Sequence, residues 1–206
     1  MSQINPKHLI DELKDNVLNE DKIKATLVLE HFFDVDTGTQ KELLSLLEQG
    51  APEFSIPLLL GLIRKDPLLP EKLPEIKRVL SSRVMEAPAL LMDYLVKLLT
   101  DTTIHSPKLF IGIAGEIRLK EALPILINLL SKNQQPETLK SIIAALGQIT
   151  NPMSVNAISE FLYSNDKALT IAAIKALGNI ANQTAIQRLA EKLGHDPRID
   201  ILILDI

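Results

Sequence analysis

The residues that could do chemistry in this chain are its histidines and a few acidic side chains. His8, His31, His105 and His195 fall on four separate helix ends or faces, and no two of them are spaced to share a metal ion. A zinc or iron site needs several such side chains to converge on one point. The sequence therefore predicts no metal site.

Glu116 and Glu121 are the best candidates for a pair of carboxylates that would do general acid and base work. They flank Arg118 and Lys120 in a turn, so we expect a solvated, salt-linked surface there. The chain has no Cys, which excludes a thiolate nucleophile, a thiolate metal site and a disulfide framework. It also has no phosphate-binding glycine loop and no serine or zinc hydrolase motif. We predict no catalytic residue, no cofactor and no enzymatic activity.

Basic residues gather between Arg64 and Arg83, where three acids are interleaved among six Lys or Arg side chains. Residues 1–50 carry ten Asp or Glu and five Lys, a net charge of −5, whereas the remaining residues have a net charge of +1. Lys77, Arg78 and Arg83 could form a docking patch for an acidic partner. That partner could be the acidic N-terminal part of this same chain. The alternative is an ordinary solvated face.

The elements that must position these residues repeat along the chain. The tetrapeptides AGEI, LGQI and LGNI place glycines at 115, 147 and 178, with separations of 32 and 31 residues. A fixed period of about thirty residues with two helical stripes is typical of stacked helical hairpins. Each repeat is helix A, a short turn and helix B, and we expect the glycine to end helix B through a positive φ. Small residues at Ala145 and Ala176 should let neighbouring helices approach closely.

Each helix A has an apolar stripe 8, 11 and 15 residues after a glycine. The stripe comprises Leu123, Leu126, Leu130, Val155, Ile158, Leu162, Ile186, Leu189 and Leu193. The equivalent helix A starts at Ser55 and Ala87 extend the repeat toward the N-terminus. Residues 6–18 form an amphipathic helix that should shield the first hairpin. With 46% apolar and 3% aromatic residues, the composition favours helix-on-helix packing.

The C-terminal stretch RIDILILDI is apolar, and the next repeat glycine would fall near position 209. We therefore expect residues 1–206 to be a single repeat domain excerpted from a longer chain; the alternative is a natural end with a short cap. No apolar run approaches about twenty residues and the first residues have no signal core, so a cytoplasmic protein without a membrane span is expected.

The segment NDKALTIAAIKALGNI, residues 165–180, resembles the HEAT-like repeat of the phycobilisome-lyase type. The matching residues are Asp166, Leu169, Ala172, Ala173, Ala176, Leu177 and Gly178. The resemblance implies an all-α fold, a right-handed α-α superhelix (a HEAT-like solenoid) of about six helical hairpins plus an N-terminal helix. It also implies a scaffold more often than an enzyme. Catalytic relatives of the deoxyhypusine hydroxylase type bind iron through His-Glu pairs, but Glu30 and His31 occur here in reverse order.

In stacked hairpins helix B lines the concave side and offers its non-core positions to a partner. On this row we predict that Lys140, Ser141, Ile171 and Lys175 bind a partner protein or an adjacent domain of the same polypeptide. The predicted function is a non-enzymatic scaffold or adaptor within a larger bacterial-type signalling or regulatory protein. One alternative is a bilin-lyase-like enzyme or a chaperone for a tetrapyrrole carrier. Another is a nucleic-acid binder, against which a net charge of −4 and the lack of Trp argue.

Overall fold

The computed structural model describes residues 5–99, 107–194 and 196–205. These residues form fourteen α-helices and four short 3-10 helices, with no β-strand among them. The all-α prediction is therefore confirmed. The chain divides into two compact units, Met1–Leu90 and Leu91–Ile206. The right-handed superhelix and the single domain over 1–206 stay predictions.

The first unit consists of one helix followed by two helical hairpins. Its helices are α1 (Pro6–Leu18), α2 (Lys22–Val28, continued by a 3-10 helix over Leu29–Asp34), α3 (Thr37–Gln49), α4 (Pro52–Lys65), α5 (Leu69–Lys72) and α6 (Pro74–Glu86). Asn5 caps α1 by accepting a hydrogen bond of 3.1 Å from the Lys7 backbone N–H. Leu9 and Leu13 are buried where α1 packs on α2 and α3. This helix shields the first hairpin as the sequence predicts.

The second unit stacks four further hairpins, which brings the described total to the predicted six. Its helices are α7 (Pro88–Leu98, in this unit from Leu91), α8 (Pro107–Glu116), α9 (Leu123–Lys132), α10 (Pro136–Ile149), α11 (Val155–Ser159), α12 (Lys167–Ile180), α13 (Gln183–Lys192) and α14 (Pro197–Leu204). The remaining 3-10 helices are Lys120–Ala122, Pro152–Ser154 and Glu160–Tyr163. Helix α10 packs between α8 and α12, so successive helices B form one layer.

Helix boundaries follow from local chemistry. Six prolines lie in the first turn of a helix, where a missing backbone N–H costs nothing: Pro52, Pro70, Pro107, Pro136, Pro152 and Pro197. Asp166 accepts a hydrogen bond of 2.8 Å from the Ala168 N–H at the start of α12, and Asn182 accepts one of 2.8 Å from the Ala185 N–H at the start of α13. These caps satisfy backbone groups that have no partner inside the helix.

The predicted apolar stripes form the core of the second unit, with two exceptions, Ile186 and Leu193. Leu193 is half-buried and follows the last residue of α13. Ile158, Ile143 and Leu177 are fully buried. Ile186, however, is 57% exposed, and Ala185 takes the inward position instead. The prediction for Ile186 is wrong because α13 is the last helix A of the described residues, so no further helix A covers that side chain.

The repeat glycines do not end helix B through a positive φ, and that prediction is wrong. Gly115 and Gly147 lie inside the helices, and the residues with positive φ follow three positions after each glycine: Arg118 (φ 52°), Thr150 (φ 55°) and Ala181 (φ 48°). The glycines instead permit close helix packing. A Cβ on Gly147 would lie 2.7 Å from Ala176 Cα, and one on Gly115 would lie 2.7 Å from Ala145 Cα.

We expect Gly147→Ala to lower the free energy of unfolding of the second unit by about 1 to 3 kcal/mol, because the new methyl meets helix backbone that cannot move alone. Both tyrosines, Tyr94 and Tyr163, lie in this unit, so urea unfolding followed by tyrosine fluorescence reports on it. Gly112→Ala is the matched control, because its Cβ would meet nothing within 4 Å. It should raise stability by up to about 1 kcal/mol. Equal effects of the two substitutions would contradict the packing role.

Thr150→Gly should raise the free energy of unfolding by about 1 kcal/mol. Thr150 is β-branched and adopts φ 55° and ψ 40°, a conformation that costs an L-residue about 1 to 2 kcal/mol. Ala144→Gly, at an exposed position inside the same helix, should instead lower stability by about 1 kcal/mol. The same urea titration measures both variants. A loss of stability in Thr150→Gly would show that the backbone of Thr150 is not strained.

Candidate interaction surface

The four residues predicted to contact a partner lie on the exposed side of α10 and α12. Lys140 Nζ forms an ion pair of 2.6 Å with Glu137 Oε1, and the Ser141 hydroxyl donates a hydrogen bond of 3.0 Å to the Glu137 carbonyl. Ile171 is 37% exposed and Lys175 is exposed. The opposite faces of both helices are buried in the core. The structure therefore gathers these residues on one accessible layer.

A groove of about 410 Å³, which the sequence did not predict, lies at the C-terminal ends of the same helices. Its lining consists of Gly115, Glu116, Arg118, Gly147, Gln148, Thr150 and Asn179. Asn179 lies one helical turn after Lys175, so the groove extends the face already described.

The groove is lined by polar side chains at repeated positions. Glu116, Gln148 and Asn179 each follow a repeat glycine directly. The side chains of Gln148, Asn179 and Arg118 have no hydrogen-bond partner in the parts of the chain that the structure describes. A sequence signal was present, because every residue after a repeat glycine has a side-chain oxygen, but polar residues in the last turn of a helix are too common to single out.

The basic residues of the first unit pair across α3 and α6. Arg78 donates two hydrogen bonds of 2.7 Å to Glu48, and Lys41 Nζ lies 2.5 Å from Glu75 Oε1. Arg83 donates to the Gly50 carbonyl at 3.2 Å and to Glu86. Lys77 is half-buried and also has an interaction partner. Arg78 and Arg83 therefore already join α6 to the end of α3, within the acidic first fifty residues.

Hydrogen bonds from the Arg78 guanidinium hold the pKa of Glu48 below its ordinary value, and the Glu48 carboxylate raises the pKa of Arg78. The pKa of Glu75 is lowered in the same way by its bond to Lys41. The ion pairs between α3 and α6 therefore favour the ionised carboxylates of Glu48 and Glu75.

The described histidines pair locally. His8 Nε2 lies 3.8 Å from Glu12, and His31 Nδ1 lies 3.4 Å from Asp34; His105 and His195 fall outside the described residues. No group of three metal-ligating side chains occurs among residues 5–99, 107–194 and 196–205. Within these ranges no helix is long and apolar enough to cross a membrane.

Replacing Glu48 with Gln should lower the free energy of unfolding of the first unit by about 1 kcal/mol at pH 7. The pKa of Glu48 is depressed by folding, so its contribution is present above the unfolded value and is lost as pH falls through the folded value. The difference from the parent should thus shrink in acid. Urea unfolding followed by circular dichroism from pH 7 to pH 3 measures it.

Glu42→Gln on the exposed side of α3 is the matched control and should change stability little at any pH. If Glu48→Gln and Glu42→Gln had the same pH dependence, the pairing of Glu48 with Arg78 would contribute nothing to stability.

Comparison with known families agrees with this architecture. A family model for HEAT repeats matches residues 123–202, a range that begins with α9 and ends within α14. No curated protein matches the chain. The model thus covers the repeats that carry Gly147 and Gly178. Residues 123–202 are therefore the part of this chain that is similar to HEAT repeats.

Proposed function

We propose that this chain is a non-enzymatic scaffold or adaptor that binds a partner protein, or an adjacent domain of the same polypeptide, on the exposed face of α10 and α12. The observation that supports this most directly is the continuous layer of helices B, whose accessible face ends in an open groove. Repeat stacks commonly use such extended surfaces for binding. HEAT repeats generally serve in protein interactions, in line with the family match.

The chemistry of the face supports a protein partner. Ile171 offers an exposed apolar contact, with Lys175 one turn further along the same helix and Lys140 on the neighbouring helix. Protein interfaces combine apolar contacts with a polar rim in this way. We further propose that the repeats are of the phycobilisome-lyase type. We also propose that the chain belongs to a larger bacterial-type signalling or regulatory protein in the cytoplasm.

The test is the triple variant Lys140→Glu, Ile171→Asp and Lys175→Glu. It reverses two charges, at half-buried Lys140 and exposed Lys175, and removes the apolar contact at exposed Ile171. The fold should persist while partner capture falls at least about tenfold. Affinity capture of proteins from the source cells with quantitative mass spectrometry identifies candidate partners, and titration of the purified partner measures the loss. Circular dichroism checks that the variant is folded.

The control variant makes the same kinds of change on the layer of helices A: Lys120→Glu, Lys132→Glu and Ile186→Asp, all at exposed positions. It should bind the partner as the parent does. Equal capture by the parent and by the α10–α12 variant would refute the proposed face.

A further inference from the structure

We propose that the groove at the ends of α8, α10 and α12 holds an extended peptide segment of the partner, mainly through its main chain. This inference rests on the proposed function and names the form in which the partner is recognised. It starts from Gln148 and Asn179, whose amide groups line the groove without a partner among the described residues. A side-chain amide presents both N–H donors and a carbonyl acceptor. A peptide main chain presents the same two groups at every residue.

The spacing of the repeat suits an extended chain. Gln148 and Asn179 occupy equivalent positions on neighbouring helices, and packed helix axes lie about 8 to 10 Å apart. Three residues of extended peptide span about 10 Å. A segment that crosses the layer could therefore meet one side-chain amide at about every third residue.

The electrostatics of the groove disfavour an anionic ligand. The groove lies at the C-terminal ends of helices, where the last carbonyl groups carry partial negative charge. The Glu116 carboxylate adds to this charge, whereas Arg118 is the cation of the lining. A phosphate or a nucleic-acid backbone would meet repulsion from the helix ends, but a neutral peptide amide would not. Arg118 can donate to a peptide carbonyl. The volume of about 410 Å³ lies in the range of ordinary ligand sites.

The test begins with selection of binders to the intact chain from a phage library of random twelve-residue peptides. A selected peptide is synthesised with a fluorescent label and titrated by fluorescence anisotropy. Gln148→Ala/Asn179→Ala should raise its Kd at least about tenfold. The matched control, Gln134→Ala/Asn165→Ala, removes two exposed amides outside the groove and should leave the Kd unchanged. Replacing one central peptide amide by an ester should weaken binding similarly, since recognition uses the main chain.

In the peptide experiments, any of these results would overturn the inference: selection yields no binder, the selected peptides bind the Gln148→Ala/Asn179→Ala variant as they bind the parent, or the ester leaves the Kd unchanged. Binding of a single-stranded DNA oligonucleotide that depends on Arg118 would also overturn it. Failure here is distinguishable from failure of the proposed function. A partner that is lost from the Lys140→Glu/Ile171→Asp/Lys175→Glu variant but retained by Gln148→Ala/Asn179→Ala would support the face and refute the peptide groove.

Discussion

The close approach of successive helices B constrains the second unit more than any other contact. A methyl group on Gly147 would lie 2.7 Å from both Ala176 Cα and Ala176 Cβ, well inside van der Waals contact. Gly115 has the same relation to Ala145 Cα at 2.7 Å. Interiors of proteins are packed so densely that such a clash cannot be absorbed without moving a helix. The repeat therefore uses glycine to set the distance between helices, and alanine opposite it to keep the second surface small.

This packing also explains the ends of the helices. Helices α8, α10 and α12 each run past their glycine and end one or two residues before a residue in the left-handed region, which is Arg118, Thr150 or Ala181. Because helices α8 and α10 end side by side at equivalent positions, their last turns form a common groove, which Asn179 of α12 also lines. The residue after each glycine then lines that groove. One period of the sequence thus positions both the contact that holds the layer together and the polar groups that are left accessible.

The sequence predicted the architecture because period and apolar spacing follow from burial alone. The start of α1 at Asn5 and Pro6 and the helix starts at proline could also be predicted, because capping is local chemistry. The packing role of the repeat glycines could not be predicted, because a glycine near a helix end suits a positive φ and a tight helix contact equally well. The exposure of Ile186 depends on which helix packs next to it, and a periodic pattern does not give that information. Arg78 and Arg83 bond to Glu48 and to the Gly50 carbonyl, which lie about thirty residues earlier in the chain. Composition does not reveal such pairs.

Nuclear Overhauser spectroscopy on isotopically labelled protein measures the contact between glycine and alanine of successive helices B. The account predicts strong cross-peaks from the Gly147 α-protons to the Ala176 methyl group, and from the Gly115 α-protons to the Ala145 methyl group, where a built Cβ would lie 2.7 and 3.0 Å from the respective alanine Cβ. Gly112, whose Cβ would meet nothing within 4 Å, should show no such peak to another helix. Absence of both glycine–alanine cross-peaks in the folded protein would contradict the account.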